Sequence, residues 1–117
     1  MRKAFVTFVG LISLFLSQSL LAEQSAMKCE IGPLKKVYGK TNWLVYSCTD
    51  DKTLVIVSDT GSPAMPFYFT FYIKNGSYTL SGEGTGNKAA TDAAYNELSK
   101  LSNNEISALL KQTKNAK

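Results

Sequence analysis

The residues most suggestive of chemistry lie in Ser81-Gly82-Glu83-Gly84-Thr85-Gly86-Asn87-Lys88, which runs into the alanine-rich segment Ala89-Ala90-Thr91-Asp92-Ala93-Ala94. Glycines, a lysine and a helix are the parts of a phosphate cradle. Backbone N–H groups face the anion and the lysine supplies charge. The spacing does not complete that device. A phosphate loop needs lysine directly after the last glycine, then a hydroxyl residue for Mg²⁺. Here Asn87 follows Gly86, and Ala89 follows Lys88. The preceding segment reads as half of a hairpin, not as a parallel strand. A dinucleotide fingerprint fails on the same topology and lacks its third glycine. The plainer reading is a hinge from sheet to helix, with Asn87 as N-cap. Glu83 and Thr85 remain as exposed candidates for a binding loop.

Other chemistries are limited by composition. The chain contains no histidine. That removes the usual general base at neutral pH and the commonest metal ligand, and with them Ser-His-Asp and Cys-His arrangements. Asp50, Asp51 and Asp59 are the nearest approach to a Ca²⁺ site, but their spacing does not match a calcium loop. Paired aspartates ahead of Thr53-Leu54-Val55-Ile56-Val57 read as turn chemistry. No pair of carboxylates stands out for glycoside hydrolysis, which needs two that converge. Trp43, beside Leu44, reads as core. The expectation is no enzyme, no cofactor and no metal.

Cys29 and Cys48 can make a single intramolecular bond. Their spacing is far from Cys-x-x-Cys, so the bond is structural rather than redox-active. Closing a loop of this length stabilises by roughly 3 kcal/mol on the loop-entropy model. Such a bond belongs in an oxidising compartment. The N-terminus agrees with that. Met1-Arg2-Lys3 precedes an apolar run from Ala4 to Ala22, the pattern of a secretory signal peptide cleaved after Ala22. A retained membrane anchor is the rival reading, since the run could just span a bilayer. The expected organisation is a signal peptide over 1–22 and one domain over 23–117. Removing Arg2 and Lys3 lowers the net charge from +4 to +2. So weak a charge implies no acidic partner.

The domain divides into a β part and an α part. Lys28-Cys29-Glu30-Ile31, Lys35-Lys36-Val37-Tyr38 and Trp43 to Cys48 read as strands, with Gly39 to Asn42 as a hairpin loop. Thr53 to Ser58 reads as another strand, and Asp59 to Pro66 as a loop. The clearest element is Phe67 to Gly82, centred on Asn75-Gly76, the strongest short hairpin signal. A two-residue turn pairs Lys74 with Ser77, Tyr72 with Thr79 and Thr70 with Ser81. Side chains alternate across a strand. One face therefore carries Phe67, Phe69, Phe71, Ile73, Tyr78 and Leu80 and must be buried. The other carries Tyr68, Thr70, Tyr72 and Thr79. A first helix runs from Asn87 to about Leu101, with the stripe Ala90, Ala94, Leu98 and Leu101. Ser102 to Glu105 is a capping box that starts a second helix with Ile106, Leu109 and Leu110 inward, fraying into a polar tail. The fold expected is α+β: an antiparallel meander of four to five strands, then two C-terminal helices packed on one face.

The segment from Gly82 to Leu101 resembles the end of a double-stranded RNA-binding domain, where a glycine-containing loop leads into a helix that grips phosphates. That resemblance implies a basic helix start, whereas this helix start has Lys88 alone, followed by the repelling Asp92. The family's first helix is replaced by strands. No nucleic-acid partner is expected. Val45 to Val57 and Asn75 to Gly84 are similar to segments of small periplasmic lysozyme inhibitors. In those, an aromatic residue and a cysteine precede a polar turn and an apolar strand, and a serine-glycine loop follows later. The inhibitors are β-barrels, and this chain departs from them in its two helices and in its cysteine spacing. By class the chain also looks like a toxin-immunity protein. These resemblances imply a periplasmic protein that occludes a cell-wall-degrading enzyme or toxin, with no stable membrane insertion after cleavage and with a homodimer possible. Tyr68, Thr70, Tyr72, Thr79, Glu83 and Thr85 are the candidate contact residues. The alternative is a non-catalytic structural or envelope-stress protein.

Mass spectrometry of the exported protein is expected to show a chain beginning at Glu23. Its mass should be lower than the reduced value by the two hydrogens lost on oxidation. An intact N-terminus would favour the anchor, and free thiols would remove the compartment argument.

Overall fold

The computed structural model describes residues 27–116; the leader expected over 1–22 lies outside them. Five strands, β1 (Ile31–Tyr38), β2 (Thr41–Ser47), β3 (Leu54–Ser58), β4 (Phe67–Lys74) and β5 (Ser77–Gly84), precede two helices, α1 (Lys88–Leu98) and α2 (Asn103–Asn115). The strands form one antiparallel sheet in the order β1-β2-β3-β4-β5. This is the α+β meander that the hairpin and helix signals imply. Among the described residues, no helix is long and apolar enough to cross a membrane.

The β4–β5 register follows from its turn. Asn75 and Gly76 have φ of 54° and 81°, the signs a type I′ turn requires. Lys74 pairs with Ser77, Tyr72 with Thr79 and Thr70 with Ser81. The β1–β2 connection is shorter than the loop expected over Gly39 to Asn42. Gly39 and Lys40, with φ of 59° and 63°, make the whole turn, and Thr41 already pairs with Tyr38. Of the two short segments expected before it, Lys35 to Tyr38 lies in β1, whereas Lys28 to Ile31 contributes only Ile31. A register shift between Ile31 and Leu34 absorbs the break.

Burial separates the two faces of the sheet. Trp43 and Val45, Leu54 and Ile56, and Phe69 and Phe71 turn inward and are buried, with Ala94, Leu98, Ile106, Leu109 and Leu110 from the helices. Phe69 is the junction. Its ring lies 5.2 Å from Trp43, 4.9 Å from Phe67 and 6.4 Å from Tyr95, centroid to centroid. Each such pair adds about 0.5–1.5 kcal/mol beyond area burial. Trp43 is fully buried, and its indole N–H faces the Tyr38 carbonyl at 3.1 Å and the Thr41 hydroxyl at 2.9 Å. Ile73 corrects the expectation of a wholly buried face. It shares the inward side but is 45% exposed. The hairpin tip extends past the helices, which pack over β1 and β2.

Both helix starts behave as their sequences imply. The Asn87 side chain accepts from the Ala90 N–H. Ser102 and Glu105 satisfy each other's backbone N–H groups. The far ends differ. α1 stops at Leu98, not Leu101. A tight turn closes it, with the Ser99 N–H donating to Tyr95 and Lys100 to Glu97, and so frees Ser102 to cap α2. The expected fraying of α2 does not occur. It continues to Asn115 because Thr113 is fully buried. The Thr113 hydroxyl donates to the Leu110 carbonyl and shares a 2.7 Å hydrogen bond with the Ser47 hydroxyl on β2. Beyond it, Lys114 pairs with Asp51 at 2.6 Å.

The disulfide Cys29–Cys48 forms as expected and fits an oxidising compartment. It lies beside a clip in which Thr49 donates to the Lys28 carbonyl and accepts, through its hydroxyl, from the Lys28 N–H.

Two close fits yield predictions. A Cβ at Gly39 would lie 2.5 Å from the Ala94 backbone nitrogen, whereas one at Gly76 would meet nothing. Both positions have positive φ. Gly39→Ala is therefore expected to cost about 2 kcal/mol more than Gly76→Ala, because overpacking against backbone adds to the conformational penalty. Thermal melts of the two variants measure the difference; equal midpoints would mean that α1 does not rest on this turn.

Asp50 organises the turn into β3. Its carboxylate accepts from the N–H groups of Lys52 and Thr53 and from the Thr53 hydroxyl. Burial, the largest single influence, pushes its pKa up. The three hydrogen bonds and the Lys52 charge together outweigh it, so the net shift is downward. A lowered folded-state pKa contributes stability above the unfolded value, which is lost as pH falls through the folded one. Asp50→Ala should depress the melting midpoint at neutral pH and have a smaller effect in strong acid. An equal loss at both would assign the effect to packing instead.

Candidate functional site

The sheet face turned away from the helices is the candidate site. One row of cross-strand neighbours runs Lys35, Leu44, Val57, Tyr68, Glu83 from β1 to β5. A second runs Tyr46, Val55, Thr70, Ser81 from β2 to β5. Tyr72 and Thr79 pair beside it. The first row carries a cation at one edge and an anion at the other, with apolar and aromatic groups between.

Val55 and Val57 form the centre of this face together with Tyr68, which is 42% exposed. Met65 and Pro66, from the β3–β4 loop, wall an open groove of about 750 Å³ over them, and Glu83 and Gly84 lie at its end. The loop is held down from the other side. The Pro66 carbonyl accepts from the N–H groups of Thr85 and Gly86. A Cβ at Gly86 would overlap the Ala64 backbone. Gly82 serves packing as well, since a Cβ there would meet the rings of Phe67 and Phe69.

The glycine-rich stretch is thus partly strand and partly contact surface. Gly82 and Gly84 belong to β5, so the hinge is narrower than the sequence implies. Lys88 is exposed and pairs with Asp92 one turn on, at 3.6 Å.

Of the candidate contact residues, Tyr68, Thr70, Tyr72, Thr79 and Glu83 share the outer face. The Tyr68 hydroxyl donates to Glu83 at 2.9 Å. That hydrogen bond, together with the negative charge behind it, raises the phenol pKa above its ordinary value and keeps the hydroxyl a donor. Thr85 lies past the end of β5 and does not line the groove. Leu44, Tyr46, Val55, Val57, Met65 and Pro66 complete the surface and were not among the sequence candidates. A signal for two of them exists. Leu54-Val55-Ile56-Val57 is apolar throughout, whereas a strand buried on one face alternates.

Among the described residues, no three or more Cys, Asp or Glu gather where they could hold a metal ion. The carboxylate of Asp50 is taken up in its turn, and Asp51 pairs with Lys114. The outer face presents hydroxyls, two exposed or half-buried tyrosines on β4, and an apolar floor. No protein-family model, curated protein or solved structure matches this chain, so the reading of the site rests on its own geometry.

Proposed function

We propose that the protein is an exported, non-catalytic protein-binding inhibitor or immunity protein. Its outer sheet face occludes a cell-wall-degrading enzyme or toxin in the periplasm. One observation carries this reading: an aromatic and hydroxyl-bearing face with an apolar groove is left open on a domain whose opposite face is packed against both helices. Interface energy concentrates in tyrosine, tryptophan and arginine anchors ringed by polar groups. Tyr68 and Tyr72 stand in that relation to Thr70, Thr79 and Glu83. The disulfide supports a site of action outside the cytosol. The absence of histidine from the chain favours occlusion over hydrolysis.

The two faces of β4 should respond oppositely to charge. Phe71 is 4% exposed. Phe71→Asp buries an unpartnered carboxylate and is expected to unfold the protein, since even a cavity at such a site costs about 3–5 kcal/mol. Tyr72→Glu should shift stability by no more than about 0.5 kcal/mol. It should weaken capture of a periplasmic wall hydrolase by at least about tenfold, as for an anchor residue. Circular dichroism melts and a binding assay against purified wall hydrolases read both effects. The wild-type protein alone should cleave neither peptidoglycan nor simple esters. A folded Tyr72→Glu variant that still inhibits normally would move the site off this face.

A further inference from the structure

The two edges of the sheet are unlike. β1 is blunted in three ways. Pro33 has no N–H to offer, the register slips between Ile31 and Leu34, and both helices pack against this side. β5 has none of these protections. It pairs with β4 over its whole length without a shift, and it contains no proline and no lysine.

Its free hydrogen-bonding groups follow from the turn. In a two-residue type I′ hairpin the flanking residues, Lys74 and Ser77, exchange hydrogen bonds. Bonded and non-bonded pairs then alternate along the ladder. The backbone N–H and C=O groups of Tyr78, Leu80 and Gly82 therefore point away from β4. Among the described residues, no backbone or side-chain partner takes them up.

We infer that β5 pairs antiparallel with β5 of a second copy, about a two-fold axis at Leu80, to give one continuous sheet. The edge is complementary to itself in this register. Leu80 meets Leu80 of the second copy on the inner side. Tyr78 falls opposite Gly82, beside the Phe67 and Phe69 rings that overhang that glycine. On the outer side Thr79 faces Ser81, and Ser77 faces Glu83. Charge selects the same arrangement. Glu83 lies near one end of β5, and Lys74 flanks Ser77 at the other. An antiparallel pairing brings each Glu83 within a row of the second copy's Lys74, with the small Ser77 between them, twice per dimer. A parallel pairing would set Glu83 against Glu83. An interface of this kind is isologous and closes as a dimer. It leaves the outer faces open and side by side, so it stands whether or not that face binds a hydrolase.

The test is the mass of the protein, purified as its host exports it, by sedimentation equilibrium across a concentration series. The wild type is expected to reach twice the monomer mass. Thr79→Lys/Ser81→Lys sets four lysines together across the axis and should halve the mass while circular dichroism shows an unchanged fold. Thr79→Lys/Ser81→Glu sets each lysine opposite a glutamate and should return it to twice the monomer mass. A wild type that remains monomeric at every concentration would overturn the inference, and would point to a strand from another protein as the edge's partner. A dimer that survives the double-lysine change, or a charge-swapped variant that stays monomeric, would overturn it equally.

Discussion

The structure depends on the burial of one aromatic ring. Phe69 sits at the centre of the inward face, 1% exposed, and touches rings from β2, β4 and α1. Covering it determines where the helices go. A five-stranded sheet with this much aromatic area on one side is insoluble unless that side is closed. The closing layer is only two short helices. α1 reaches the sheet through Ala94 and Leu98, and α2 through Ile106, Leu109 and Leu110. The β3–β4 loop contributes Ala64 to the same cluster.

Small residues make that closure tight. Gly39 allows the β1–β2 turn to meet the backbone of α1 at Ala93 and Ala94. At the same place the Gly39 N–H donates to Glu97 at 2.7 Å. Gly86 and Ala64 bring the start of α1 onto the β3–β4 loop in the same manner. Polar groups inside the core are few and paired. Among the described residues, every buried side-chain nitrogen or oxygen has a partner. Such satisfaction matters in a small domain, where one orphaned group costs about 1–3 kcal/mol of a total near 5–15. The disulfide and the Thr49 clip secure the N-terminal approach to β1, which has no helix ahead of it among the described residues.

The same layering explains the open face. With both helices committed to one side, nothing in the described chain covers the other. The side chains there are what a protein–protein contact uses: valines and tyrosines at the centre, hydroxyls around them, and one charge at each end of the longest row. The groove under Met65 and Pro66 adds relief to an otherwise flat surface. The free edge of β5 is a separate feature. It follows from backbone geometry, whereas the face follows from side-chain identity.

The hairpin, both helix caps and the disulfide were legible in the sequence because each is local or combinatorially unique. Asn75-Gly76 specifies a turn, and a two-residue turn specifies its register. Ser102 and Glu105 find each other within one helical turn, and two cysteines permit a single intramolecular bond. The alternation that placed Phe71 inside and Tyr72 outside is equally local. Two element ends were misjudged locally, the β1–β2 turn and the close of α1; the other failures were at longer range. Thr113 looked like part of a polar tail until its hydroxyl met Ser47, 66 residues away. Ile73 looked buried because alternation names a side of the sheet and not whether anything covers that side. Gly82 and Gly86 looked like hinge residues, yet their space is taken up by Phe67, Phe69 and Ala64. The site divides in the same way. The β4–β5 half, with Tyr68, Thr70, Tyr72, Thr79 and Glu83, came from one hairpin. Its other half, Leu44, Tyr46, Val55 and Val57, required the order in which three strands lie side by side. By itself the sequence determined the elements, their caps and the faces of each strand, because those depend on neighbours a few residues apart. Only the tertiary structure decided which faces were covered and which were left open, because cover is supplied by distant segments.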